Sequence, residues 1–189
     1  MKKVSFTYVH MSLFWFAGIT FVCFLVFGVA QQMLRQSASE PQLQMAQDTA
    51  LLLANGSSLD ALRSIQPVEL TQSLSPYVFV YDEQGNQLLS SAQLNGKVPS
   101  LPTGLFSYVK THTDDRVTWQ PQQGVREALV GVYFHGAQSG YVFVGRSLRE
   151  VERQIDHVGE IVLAAWVVGN GGGVALLLFF ISLSSKRTH

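Results

Sequence analysis

The sequence predicts an α+β domain held between two membrane-spanning helices, and three observations predict it. Two long uncharged apolar runs lie near the ends of the 189-residue chain, the charged residues are segregated between them, and short strand-like segments fill the middle with a helical segment on either side. Composition agrees: 47% of the residues are hydrophobic and only 14% are charged, and 13 basic residues balance 13 acidic ones. That is too apolar for an ordinary soluble domain. It excludes a disordered chain, and without a basic excess to neutralise phosphates it excludes a nucleic-acid partner. A single cysteine, Cys23, excludes an internal disulfide framework and a cysteine-rich zinc site.

Charge is distributed unevenly. Lys2 and Lys3 are the only charged residues before residue 31, and Lys186 and Arg187 the only ones after residue 160. Residues 31–160 hold 9 bases and all 13 acids, so the middle carries −4 and the ends together +4. Met11 to Ala30 is 20 residues without a charge, which at roughly 1.5 Å per helical residue covers about 30 Å of hydrocarbon. Ile161 to Leu183, 23 uncharged residues, is long enough to cross with some tilt. The flanking lysines and arginine assign residues 1–10 and 184–189 to the cytoplasm by the positive-inside rule, and residues 31–160 to the outside. A cleaved signal peptide has a similar start, but the length and aromatic content of the first run and the lack of a prompt A-x-A site favour a retained anchor. Cys23, in mid-span, is read as a packing residue.

The outer segment opens with helix formers. A helix continues out of the first span, is perturbed at Pro41, and resumes to Ala54, where Asn55-Gly56 closes it. Leu43, Ala46, Ala50, Leu53 and Ala54 form a stripe on that helix and need a surface to cover. Strands are expected at residues 77–82 and 87–92, joined by the turn Glu83 to Asn86, and again at 116–120, 125–134 and 140–147, with a short helix at 105–112. Together these give a long helix on an antiparallel sheet of about five strands. A final helix starts at Leu148 and enters the second span, with Leu148, Val151, Ile155, Val158 and Val162 spaced as a coiled-coil seam. That seam either covers the sheet or pairs with a second copy.

This layout resembles the sensor half of bacterial transmembrane histidine kinases and chemoreceptors, with an outer domain of the single Cache or PAS-like type. The resemblance rests on Phe79-Val-Tyr-Asp-Glu-Gln-Gly-Asn86, on Val117-Thr-Trp-Gln-Pro121 with Val125-Arg126, and on Gly140-Tyr-Val-Phe-Val-Gly-Arg-Ser-Leu148 leading into the charged helix. It implies a signal-transduction role in a bacterial inner membrane, with a periplasmic or extracellular sensor domain. The six residues after Leu183 have none of the linker, phosphoacceptor or ATP-binding segments of those proteins, so a separate output partner is expected. The rival reading is a structural or accessory subunit of a membrane complex, with the outer domain as interaction module.

No enzyme is expected, because no G-x-S-x-G turn or other nucleophile arrangement occurs. No cofactor or metal is expected either: none of the five histidines, at 10, 112, 135, 157 and 189, lies three or four residues from another. Asp114-Asp115 reads as a solvated turn. Alternation along 125–134 puts Arg126 with Ala128, Val130, Val132 and Phe134, and Glu127 with Val125, Leu129, Gly131 and Tyr133. An arginine on an apolar face needs an anion. In Cache-like domains the pocket lies between sheet and loop, so the resemblance implies a site in which Arg126, Trp119, Tyr133 and Tyr141 bind a small carboxylate or amine. The alternative is that Arg126 pairs with an acid of the domain and the aromatics are core. In the second span Gly169 and Gly173 form a G-x-x-x-G pair around Asn170, which predicts close packing against the first span or a second copy, a homodimer or another membrane protein.

The topology has a direct check. Reporter fusions after Ala92 and after His189 should report outside and inside respectively, and an inside signal at residue 92 would contradict the charge-based orientation.

Overall fold

Alternating aromatic and β-branched residues build the sheet that organises the middle of the chain. The computed structural model describes residues 2–63 and 65–186. Its elements are α1 (Lys2–Ser37), α2 (Glu40–Ala54), α3 (Asp60–Arg63), β1 (Val68–Glu69), β2 (Tyr77–Asp82), β3 (Gln87–Ser90), β4 (Ala92–Gln93), α4 (Thr103–Thr111), β5 (Asp114–Gln122), β6 (Val125–His135), β7 (Ser139–Ser147) and α5 (Arg149–Lys186). The chain divides into two units, residues 35–152 and the two helical ends, up to residue 34 and from residue 153. Arg187 and the rest of the expected cytoplasmic tail beyond residue 186 lie outside the described residues.

In residues 35–152 five strands run antiparallel in the order β3-β2-β7-β6-β5. Pairing Phe79 with Phe143, Tyr81 with Tyr141, Val78 with Val144 and Val80 with Val142 sorts the central strands into an aromatic face and a valine face. The valine face, extended by Val132 and Phe134, is covered by Ala46, Ala50 and Leu53 of α2, the stripe anticipated for that helix. The aromatic face packs with Val109, Leu105 and Phe106 of α4. Both faces are therefore buried, and β2 and β7 read as almost continuous apolar runs.

Most expected elements are present, with local differences. The helical break falls at residues 38–39, and Pro41 sits in the first turn of α2, where its missing N–H is harmless. Asn55 and Gly56, at φ +82°, end α2 as expected. The return strand stops at Ser90: the Ser91 hydroxyl takes the Val78 N–H at 2.9 Å, and Ala92–Gln93 turn away to form a short parallel ladder with Val68–Glu69. Asp114 and Asp115 are not a solvated turn; they begin β5, and Asp114 accepts from Arg116 Nε at 3.2 Å while Arg116 Nη1 reaches Glu40 at 2.7 Å. α5 runs unbroken through Gly159.

Each helical end is long and apolar enough to cross a membrane. Many of their large apolar side chains point outward, with Phe14 and Phe24 both 77% and Val168 73% exposed.

Two glycines let the aromatic face close. A Cβ at Gly145 would overlap the Tyr77 ring, and one at Gly131 would overlap Phe143. Gly145→Ala should therefore destabilise the folded protein by about 1–3 kcal/mol, measured by denaturant unfolding. Gly104→Ala, in α4 with open space at its Cβ position, is the matched control and should be neutral or slightly stabilising.

Candidate functional site

The four residues expected to line a ligand site are split between the two faces of the sheet. Tyr133 and Tyr141 are neighbours on the aromatic face, with ring centroids 5.2 Å apart. Trp119 belongs to the same core but packs edge-on against Phe79 at 6.1 Å. Arg126 is on the opposite side, because alternation along β6 groups it with Val130, Val132 and Phe134. Its guanidinium is bound to Glu152 in the first turn of α5, both side chains being about half exposed. The anion that Arg126 requires is thus supplied within the domain, and no joint site with the three aromatics is formed.

The space over the aromatic face is occupied by the protein itself. Phe106 of α4 packs edge-on against Tyr81, Tyr141 and Phe143 at 4.9, 5.2 and 5.2 Å. Burial pushes the Tyr81 phenol up to about 12. Toward the rim, the Tyr133 hydroxyl donates to Glu83 at 3.3 Å, Lys110 Nζ donates to the same carboxylate at 3.0 Å, and the ammonium lies 5.6 Å from the Tyr133 ring centre. The hydrogen bond from Lys110 holds Glu83 below the usual carboxylate range. These groups are exposed enough for solvent to weaken the pair.

A second cluster lies at the end of the sheet from which α5 departs. Glu127 on β6 is 1% exposed. It stands across the ladder from Trp119 on β5 and Ser147 on β7, beside Tyr77 of β2 and Arg149 of α5. Burial pushes its carboxyl up to about 7, against the opposing pull of Arg149 and the Tyr77 hydroxyl. Burial, reinforced by the Glu127 charge, also raises the Tyr77 phenol well above its ordinary range. Neither carboxyl oxygen nor the Tyr77 hydroxyl has a well-formed hydrogen bond. Arg149 is engaged elsewhere, donating from Nε to Ser147 Oγ at 3.1 Å and from Nη2 to the Ser73 carbonyl at 2.9 Å. The sequence reading passed over Glu127, although alternation already set it between Val125 and Leu129 on an apolar face.

In the paired helical ends, α1 and α5 run antiparallel. Phe27 lies beside Gly159, Thr20 and Phe16 beside Trp166, Ile19 beside Gly169 and Trp15 beside Gly173. A Cβ at Gly169 would sit 3.1 Å from Ile19 Cδ1, and one at Gly173 would run into the Trp15 indole. Trp15 Nε1 donates to the Gly169 carbonyl at 3.2 Å, Trp166 Nε1 to Thr20 Oγ1 at 2.9 Å, and Asn170 Nδ2 to the Trp166 carbonyl at 2.9 Å. Of the packings left open for the glycine cluster, the structure has the one against the first span of the same chain. Leu148, Val151, Ile155 and Val158 of the expected seam are each half-buried.

Among the described residues no group of three or more His, Cys, Asp or Glu side chains is placed to hold a metal ion. Neither a known protein-family model nor a curated protein sequence matches the chain.

The helix pairing predicts a crosslink. With Cys23→Ser as background, Ile19→Cys combined with Gly169→Cys should form a disulfide within one chain on mild oxidation in membranes, seen as a mobility shift of the monomer band. Disulfides formed only between copies would contradict the pairing.

Proposed function

We propose that the chain is a two-pass protein of a bacterial inner membrane, with both termini in the cytoplasm, whose outer α+β unit is an interaction module of a membrane complex. The membrane part of the reading is supported by two long helices with many exposed apolar side chains, for which lipid is a suitable solvent. The antiparallel pairing of α1 and α5 agrees with the positive-inside reading of the sequence, in which Lys2, Lys3, Lys186 and Arg187 all lie on the cytoplasmic side.

The observation that carries the interaction reading is the packing of Phe106 into the aromatic face, where a Cache-like ligand pocket would lie. Arg126, already paired with Glu152, offers less to a small carboxylate. Leu51 and Leu52, on the outer side of α2, are 65% and 54% exposed and give a partner an apolar foothold. The sensor reading, with a signal passed to a separate output protein, is favoured by a different observation: the buried Glu127 stands beside the first residue of the helix that forms the second span.

One variant separates a filled core from a ligand pocket. In the full-length protein, Phe106→Ala should cost about 2 kcal/mol or more of stability, and a panel of small carboxylates and amines should not shift the parent's melting temperature. A thermally neutral Phe106→Ala together with a ligand-dependent shift in the parent, lost on Tyr141→Ala, would overturn the interaction-module reading.

A further inference from the structure

Glu127 is an acid whose charged form is poorly served by the groups around it where they stand. Its carboxyl is 1% exposed and receives no hydrogen bond. β5 presents Trp119 to it, β7 presents Ser147, β2 presents Tyr77, and α5 presents Arg149. Among the described residues, Tyr77 and Arg149 are the titratable groups that act on it. Its chain neighbour Arg126 projects to the other face and is held by Glu152.

The two protonation states make different demands. A protonated carboxyl has one donor and spare acceptor capacity, and a phenol hydroxyl, which both donates and accepts, is a sufficient partner. A carboxylate accepts only, and a buried one without donors is strongly disfavoured. The cation that acts on it is Arg149, bound to Ser147, which stands across the ladder from Glu127, and its guanidinium fork matches a carboxylate. That fork is now on Ser147 Oγ and the Ser73 carbonyl, and the loop carrying Ser73 is tied down a second time by Arg146 Nε on the Leu74 carbonyl at 3.0 Å. One guanidinium thus has two alternative sets of acceptors.

We propose that Glu127 and Arg149 form a proton-operated latch between the sheet and the first turn of α5: while Glu127 is protonated, Arg149 holds Ser147 and the Ser73 carbonyl, and when Glu127 ionises, the guanidinium moves to the carboxylate and loosens the loop at residues 70–76. The proton released goes to bulk water, and no other covalent bond changes. The structure shows Arg149 in the first of these positions. Because burial raises the carboxyl from 4.5 to about 7 on folding, the folded chain holds a proton through that interval which the unfolded chain has lost. Folding is therefore favoured on its acid side and weakened as pH rises through it. The latch belongs to residues 35–152 alone; only its use as a signal rests on the sensor reading.

The test uses the full-length protein in lipid nanodiscs, comparing hydrogen exchange by mass spectrometry at pH 5.5 and pH 8 with labelling times corrected for intrinsic rates. In the parent, exchange in residues 70–76 and 149–152 should be faster at pH 8. Glu127→Gln, a neutral mimic of the acid form, should keep the slow pattern at both pH values and melt several degrees above the parent at pH 8 but level with it at pH 5.5. Arg149→Gln should leave residues 70–76 fast at both. Parental exchange that ignores pH, a Glu127→Gln protein that keeps the parental pH response or melts lower at pH 8, or a pH response that survives Arg149→Gln would each overturn the latch. Should Glu127→Gln fail to fold, the parent and Arg149→Gln still decide. A reporter at residue 92 facing the cytoplasm would remove the proposed orientation in the membrane and leave these results standing.

Discussion

Every residue of β2 from Tyr77 to Tyr81 is buried, as is nearly all of β7, so the central sheet needs cover on both faces and much of the fold of residues 35–152 follows from that demand. The valine face takes α2, whose small residues Ala46 and Ala50 let the helix lie close. The aromatic face needs depth rather than closeness. It obtains depth from glycines at positions opposite rings, Gly145 beneath Tyr77 and Gly131 beneath Phe143, and from Phe106 filling the gap that α4 would otherwise leave. A sheet packed in this way holds its rings by their edges, an arrangement that favours one fixed set of positions over a cavity that can admit a guest.

The same use of glycine beneath a large ring recurs in the paired helices. Trp15 lies over Gly173 and Ile19 over Gly169, while the two indole N–H groups find a carbonyl and a hydroxyl on the opposite helix. In a bilayer those donors would need protein partners, and the pairs fix both the rotation and the register of α1 against α5. Gly169 and Gly173, which from sequence alone suit a dimer equally well, are thus already occupied within the chain, while Gly171 and Gly172 have open space at their Cβ positions.

Elements that depend on local chemistry were legible in the sequence. β-branched and aromatic runs located the strands, Asn55-Gly56 the end of α2, and Glu83 to Asn86 the hairpin turn, whose Gly85 has a φ of +83°. Elements that depend on distant partners were not. Nothing local at Ser91 announces that the chain leaves the sheet there to pair Ala92 with Val68, and Asp114 looks like a turn residue until Arg116 and Glu40 are beside it. The candidate site failed for a plainer reason. Alternation along β6 already separated Arg126 from Tyr133, and only the expected resemblance drew them together. The same alternation placed Glu127 among apolar neighbours, so the most buried acid of residues 35–152 was readable from the rule applied to Arg126. Its depth was not, because burial at 1% depends on Trp119, Tyr77 and Ser147 arriving from three other strands.

The proposed latch turns on the state of that one carboxyl. It can be read directly by carbon-13 NMR of full-length protein labelled at glutamate side-chain carboxyls, with the Glu127 signal identified by its absence from Glu127→Gln. The structure predicts a titration midpoint near 7, well above the ordinary glutamate value of 4.5. A midpoint at the ordinary value of 4.5 would mean that the carboxylate is solvated or paired in the folded protein, and would contradict the buried, unpaired acid on which the account depends.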